Sequence, residues 1–113
     1  MITARFYCKP TQGSIHMKLQ GHAEAAPKGE DLICASATML AYTVAQAVQF
    51  MHEQGKLKRN PKVHITDGEA TIIATPTEES YAEVLLTFWV AQCGIHVLAH
   101  NYPKNVVLEH FTV

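Results

Sequence analysis

Cysteine is scarce in this chain: 113 residues carry three, at positions 8, 34 and 93. So small, odd and widely spaced a set encodes no disulfide framework, and the absence of any CxxC pair removes a zinc knuckle. Free thiols in a reducing cytoplasm fit best. The opening "MITARFYCKP" has no apolar core after a basic start, so no secretory signal is expected. Long apolar runs are missing too. The strongest, "VLLTFWVAQCGIHVLAH", is broken by Gln92, Gly94 and His96 and falls short of the ~20 apolar residues a membrane span needs. It reads as a buried core helix, and no membrane partner is expected. Charge of one sign is absent as well: the net value of −1 gives no overall pull toward nucleic acid, and no such partner is expected. Linkers, low-complexity tracts and strong repeats are lacking, so residues 1–113 form one domain.

What is present is a sequence of clear periods. Ile2, Ala4, Phe6 and Cys8 alternate with Thr3, Arg5 and Tyr7, as in a half-buried strand. A turn at Gly13-Ser14 leads to a second strand, in which Ile15, Met17 and Leu19 alternate with His16, Lys18 and Gln20. From Asp31 the period becomes helical through Ile33, Ala37, Leu40, Val44, Ala47, Val48 and Met51, and Gly55 follows where a helix-ending glycine belongs. "KLKRNPK" is a polar connector. "KVHITDGEATIIAT" predicts a hairpin with a tight primed turn at Asp67-Gly68. Pro76 ends that strand, Thr77 is placed to cap a second helix, and Glu78 and Glu79 would occupy its positive first turn. That helix carries Tyr81, Leu85, Phe88 and Trp89 and should end between Gly94 and His100, before a last strand in "NVVLEHFTV". The expected order is ββαββαβ, an α+β fold with two helices on one face of a mainly antiparallel sheet.

The chemistry concentrates in "GHAEAAPKGEDLICASATM", residues 21–39. With Asp31 as N-cap, Cys34 falls in the first helical turn. A helix start carries about half a positive charge in effect, because its first N–H groups lack partners within the helix. A thiol there is favoured as thiolate, the nucleophilic form. His22 stands where the second strand ends, and the intervening loop is long enough to fold back and bring imidazole and thiol together. Such a pair performs thiol acyl transfer, with free N–H groups at the helix start available to an oxyanion. The plainer alternative is a filler thiol and a solvated histidine, since a cysteine at a helix start is no signature by itself.

Other candidates are weaker. Cys8 and Cys93 lie at apolar positions and read as core. A metal site from Cys8, Cys34, Cys93 and some of the seven histidines has no ligand spacing behind it, and no metal or cofactor is expected. Lys56, Lys58, Arg59 and Lys62 make a short basic patch of the kind that is usually a solvated connector.

Taken together, "GHA…GEDLICASAT" resembles the ribosomal-processing cysteine protease Prp family, whose motif is G-H-A, a short loop, G-x-D-x-[VI]-C-A and a nearby serine. The resemblance implies a catalytic dyad of His22 and Cys34, supported by Gly21, Gly29, Asp31, Ala35, Ser36 and Thr38. Where the family usually has serine four residues after the cysteine, this chain has Thr38, which keeps the hydroxyl and adds a methyl. It further implies a cytoplasmic homodimer that removes an N-terminal extension from large-subunit ribosomal protein number twenty-seven, cutting after an aromatic pair, with a mobile loop beside the cysteine. Two other readings stand beside it: a non-catalytic ribosome-assembly or RNA-binding domain using the basic patch, and a redox-sensing thiol protein. Only the protease needs His22 and Cys34 together.

Overall fold

The computed structural model describes residues 1–24, 26 and 31–111. Its elements are β1 (Ile2–Lys9), β2 (Ser14–Gln20), α1 (Leu32–Glu53), β3 (Lys62–Thr66), β4 (Glu69–Ala74), α2 (Tyr81–Asn101) and β5 (Val106–Glu109). This is the expected ββαββαβ order. The five strands form one sheet in the order β3-β4-β2-β1-β5. β1–β2, β2–β4 and β3–β4 are antiparallel, while β5 joins β1 in parallel, so the sheet is mixed.

The alternation of the strands builds the core. Phe6 faces Met17 across β1–β2, and Met17 faces Ile72 across β2–β4. All three are buried, along with Ile2, Ala4, Ile15, Leu19, Ala70 and Ala74 of the same parity. α1 contributes Ile33, Ala37, Ala41, Val44, Ala45 and Val48, a stripe at helical spacing. α2 contributes Val84, Phe88, Ala91, Gln92 and Ile95.

On the opposite face of the sheet, Tyr7 stacks on its cross-strand neighbour His16, with ring centroids 4.6 Å apart. His16 is buried, and its Nε2 shares a 2.8 Å hydrogen bond with the Ser14 hydroxyl. Burial, assisted by the charges of Lys9 and Lys18, pushes the His16 pKa down from 6.5 to about 4.

Several local expectations change. α2 begins at Tyr81 with Ser80 as its cap residue, and the Ser80 side chain makes no capping bond. Thr77 belongs instead to a preceding turn, where its carbonyl accepts the Ser80 N–H at 3.2 Å. Glu78 and Glu79 therefore precede the helix, and Glu83 is the acid of its first turn. The Asp67-Gly68 turn joins Thr66 to Glu69 as expected, but positive φ falls on Gly68 alone (+80°), so the turn is not of a primed type, which requires it at Asp67. The connector after α1 is not wholly polar in role, because Leu57 is buried and bridges to Pro76.

The largest change concerns α2, which buries one stripe rather than its whole surface. Trp89 is half exposed and Cys93, expected in the core, faces outward. α2 is covered by the sheet and by α1, against which Gly94 packs on Leu40, and its outward side stays bare whatever its composition. Cys8 is intermediate, with its sulfur 3.5 Å from the Tyr81 hydroxyl. The α2 segment, expected to fall short of a membrane span, reaches that threshold by length and composition alone, as α1 does, and an apolar core helix meets the same test.

Candidate active site

Cys34 is placed by its own neighbours in the chain. Asp31 is the N-cap, with extended backbone (φ −84°, ψ 97°), and its Oδ1 accepts the N–H groups of Ile33 and Cys34, each at 3.0 Å. The Ala35 N–H donates to the Asp31 carbonyl at 3.0 Å and closes the first turn. Cys34 is thereby fixed as the third residue of α1. The Ile33 and Cys34 amides, expected to be open to an oxyanion, are occupied by the Asp31 carboxylate. The thiol itself accepts a different amide, the Ala23 N–H, at 3.1 Å.

His22 is placed by remote parts of the chain. Gly21, just after β2, has φ +95° and donates its N–H to the Gly68 carbonyl at 2.9 Å. A Cβ at this position would run into the Met1 carbonyl oxygen, so both the turn and the space require glycine. That bond lays His22 against the β3–β4 turn. Its Nδ1 is 3.9 Å from Asp67 Oδ1, and a Cβ on Gly68 would come within 2.8 Å of its Nε2. The contacts described for His22 are thus with this turn rather than with the thiol. Ala23, buried beside it, is held at both polar groups, because Asn105 Nδ2 donates to its carbonyl at 2.7 Å.

A cleft of about 510 Å³ unites the two sides. His22, Asp31, Cys34, Ala35, Glu24 and Asp67 line it, with Ala26. Of the residues singled out in the sequence, His22, Cys34, Asp31 and Ala35 meet here, and Gly21 supports the strand end. Ser36 turns elsewhere, donating its hydroxyl to the Leu32 carbonyl at 2.7 Å. Thr38 is exposed one turn along α1 and does not line the cleft. Gly29, and most of the loop expected to be mobile, lie outside the described residues. Sequence reasoning missed Asp67, Asn105 and Glu24. Asp67-Gly68 was legible only as a turn, and nothing in the sequence ties that turn to His22.

Next to the cleft runs an apolar groove of about 590 Å³, sharing Ala35 and lined by Leu32, Met39, Leu40, Val97 and Leu98 among others. Among the described residues no group of three or more His, Cys, Asp or Glu is gathered to hold a metal. The basic patch is partly engaged within the fold: Lys56 pairs with Glu83 at 2.7 Å and Arg59 reaches the Thr75 hydroxyl at 3.4 Å.

A capped helix start presenting a thiol to a cleft shared with an imidazole is an arrangement that thiol-dependent hydrolases use. The comparison with known families specifies it further. The model of the cysteine protease Prp family matches residues 1–107, and the chain belongs to that family. Among solved structures it is similar to the essential ribosomal processing protease Prp of Staphylococcus aureus in complex with a covalently linked product peptide, at a TM-score of 0.73 and 20% identity, covering 99% of this chain and 100% of that one. The same S. aureus protease with a substrate peptide gives a TM-score of 0.65 at 18% identity, with 99% and 100% covered. The SMU.848 protein of Streptococcus mutans gives 0.68 at 24% identity, with 99% and 96% covered. At these identities the likeness is one of fold. Among curated proteins no sequence relative was found.

Proposed function

We propose that this chain is a cysteine endopeptidase that removes the N-terminal extension of large-subunit ribosomal protein number twenty-seven, with Cys34 as nucleophile and His22 as general base and acid. The observation that carries the reading is the single cleft into which the capped α1 start delivers Cys34 and the β2 end delivers His22. In the first half-reaction the sulfur bonds to the scissile carbonyl carbon while the thiol proton passes to His22. The imidazolium then gives that proton to the departing amine as the C–N bond breaks, leaving a thioester on Cys34. Water, losing its proton to His22, then attacks the thioester; the C–S bond breaks, the new carboxyl terminus departs, and His22 returns the proton to the sulfur. The Ala23 N–H donates to the sulfur at 3.1 Å, so it is suited to stabilise the negative charge that gathers there as the thiol gives up its proton.

The groove beside Ala35 supplies the apolar wall that an aromatic side chain next to the cut requires. Burying one large ring there contributes up to ~3 kcal/mol. Farther along the helices, Tyr42, Phe50, Trp89 and Val90 are at least half exposed, an outward apolar surface that supports assembly as a homodimer. A ribosomal precursor as substrate implies action in the cytoplasm.

The test is incubation with a peptide spanning the extension, products being read by mass. Cys34→Ala and His22→Ala should each abolish cleavage while circular dichroism stays native. A Cys34→Ala preparation that cuts at near wild-type rate overturns the assignment. Replacing the aromatic residues before the cut by alanine should sharply reduce turnover, and equal cleavage of both peptides removes the groove from the mechanism.

A further inference from the structure

We propose that Asp67, in the β3–β4 turn, is the positioning residue that orients the His22 imidazole for proton exchange with Cys34. The proposal rests on the protease reading and adds a third side chain to it, from a segment that carries none of the family motif.

Four observations converge on that turn. The Gly21 N–H to Gly68 carbonyl bond, 2.9 Å long, fixes the strand end bearing His22 directly beside Asp67. Gly68 leaves room for the ring, since any Cβ there would meet Nε2 at 2.8 Å. The Asp67 carboxylate addresses Nδ1, its Oδ1 lying 3.9 Å away. Finally, Asp67, His22 and Cys34 line one cleft. Glu24 and Asp31 also place carboxylates around it, but Asp31 is engaged with two helix amides, whereas Asp67 lies within ion-pair distance of the imidazole.

The chemical consequence concerns the tautomer. A neutral imidazole carries one N–H, and its position follows the hydrogen bond the ring makes. A carboxylate at Nδ1 draws the proton there, which leaves the Nε2 lone pair, lying over Gly68 in this structure, to receive the thiol proton once the ring turns toward Cys34. Once Nε2 is protonated, the same carboxylate stabilises the imidazolium until the leaving amine takes the proton. In the free protein the pair is long and open to water, the side chains being 53% and 63% exposed, so it adds little to stability. Catalytic hydrogen bonds of this kind tighten when substrate covers the site and water leaves.

Wild-type, Asp67→Asn and Asp67→Glu proteins would be compared with the extension peptide, and the His22 tautomer read by nitrogen-15 NMR. Asp67→Asn should lower kcat roughly tenfold to a hundredfold, with KM changed by no more than about twofold. Asp67→Glu should recover much of that loss. His22 should carry its neutral proton on Nδ1 in the wild type and lose that preference in Asp67→Asn. An unchanged tautomer overturns the proposal even if kcat falls, because Asp67 then acts only on the turn. An unchanged kcat overturns it whatever the tautomer. Should the wild type fail to cut the peptide, the protease reading falls, while the tautomer still decides whether Asp67 orients His22.

Discussion

Cys34 and His22 reach one cleft by opposite means. The backbone amides described at the helix start are held from within four residues, Ile33 and Cys34 by the Asp31 carboxylate and Ala35 by the Asp31 carbonyl. The strand end is fixed from far away, through the Gly68 carbonyl to Gly21, the Asp67 carboxylate near His22, and the Asn105 amide to Ala23. A local anchor forms with its helix and survives small shifts elsewhere. Remote anchors exist only when the sheet is in register. The nucleophile side is therefore robust, and the imidazole side depends on the whole fold.

Acid should strike the remote side hardest. His16 shares β2 with the residues leading to His22, and burial with nearby Lys9 and Lys18 holds its folded pKa at about 4 against 6.5 when unfolded. The unfolded chain thus takes up the proton first. Stability is complete above pH 6.5 and declines as the pH falls from 6.5 toward 4, by up to about 3 kcal/mol from this group. Urea titrations across that window should show the fall, and His16→Gln should flatten it; an equally steep fall in the variant would shift the cause to other groups.

Gly21→Ala comes next, at about 2 kcal/mol, from the left-handed φ together with the collision at Met1. Its thermal midpoint should drop and its activity should drop further. A midpoint within a degree or so of wild type would mean that the strand end adjusts at little cost.

On the local side, Asp31→Ala should cost about 1 kcal/mol, whereas Asp31→Asn should keep most of the cap. Equal midpoints for wild type and Asp31→Ala would dismiss the cap as an anchor. The smallest effect belongs to Ser80→Ala, because the Ser80 side chain makes no capping bond. Its stability should stay within about 0.5 kcal/mol of wild type.

The same division governs what is legible in the sequence. Asp31, Cys34 and the α1 stripe announce themselves because cap, first turn and period lie in one short window. The element order is legible for the same reason, each strand and helix having its own period. Thr77 passes for the α2 cap because a Thr followed by two acids also fits a plain turn, and the Ser80 cap has no side-chain signature to compete with it. Cys93 reads as core, and Trp89 with it, because an apolar helix does not reveal how many of its sides a single sheet will cover. Asp67 and Asn105 have no local signal at all, since their partners lie tens of residues away and only the strand order brings them close.

One of these long reaches also sets an order in time. Asn105 follows Ala23 by 82 residues, and the strand it introduces, β5, pairs with β1 at the other end of the chain. During translation the helix bearing Cys34 is complete well before Asn105 emerges. Until then nothing holds the Ala23 carbonyl from that side, and the amide facing the sulfur lacks its brace. The thiol is thus made early and its surroundings are finished among the last, so a half-made chain carries the nucleophile without the setting that aims it.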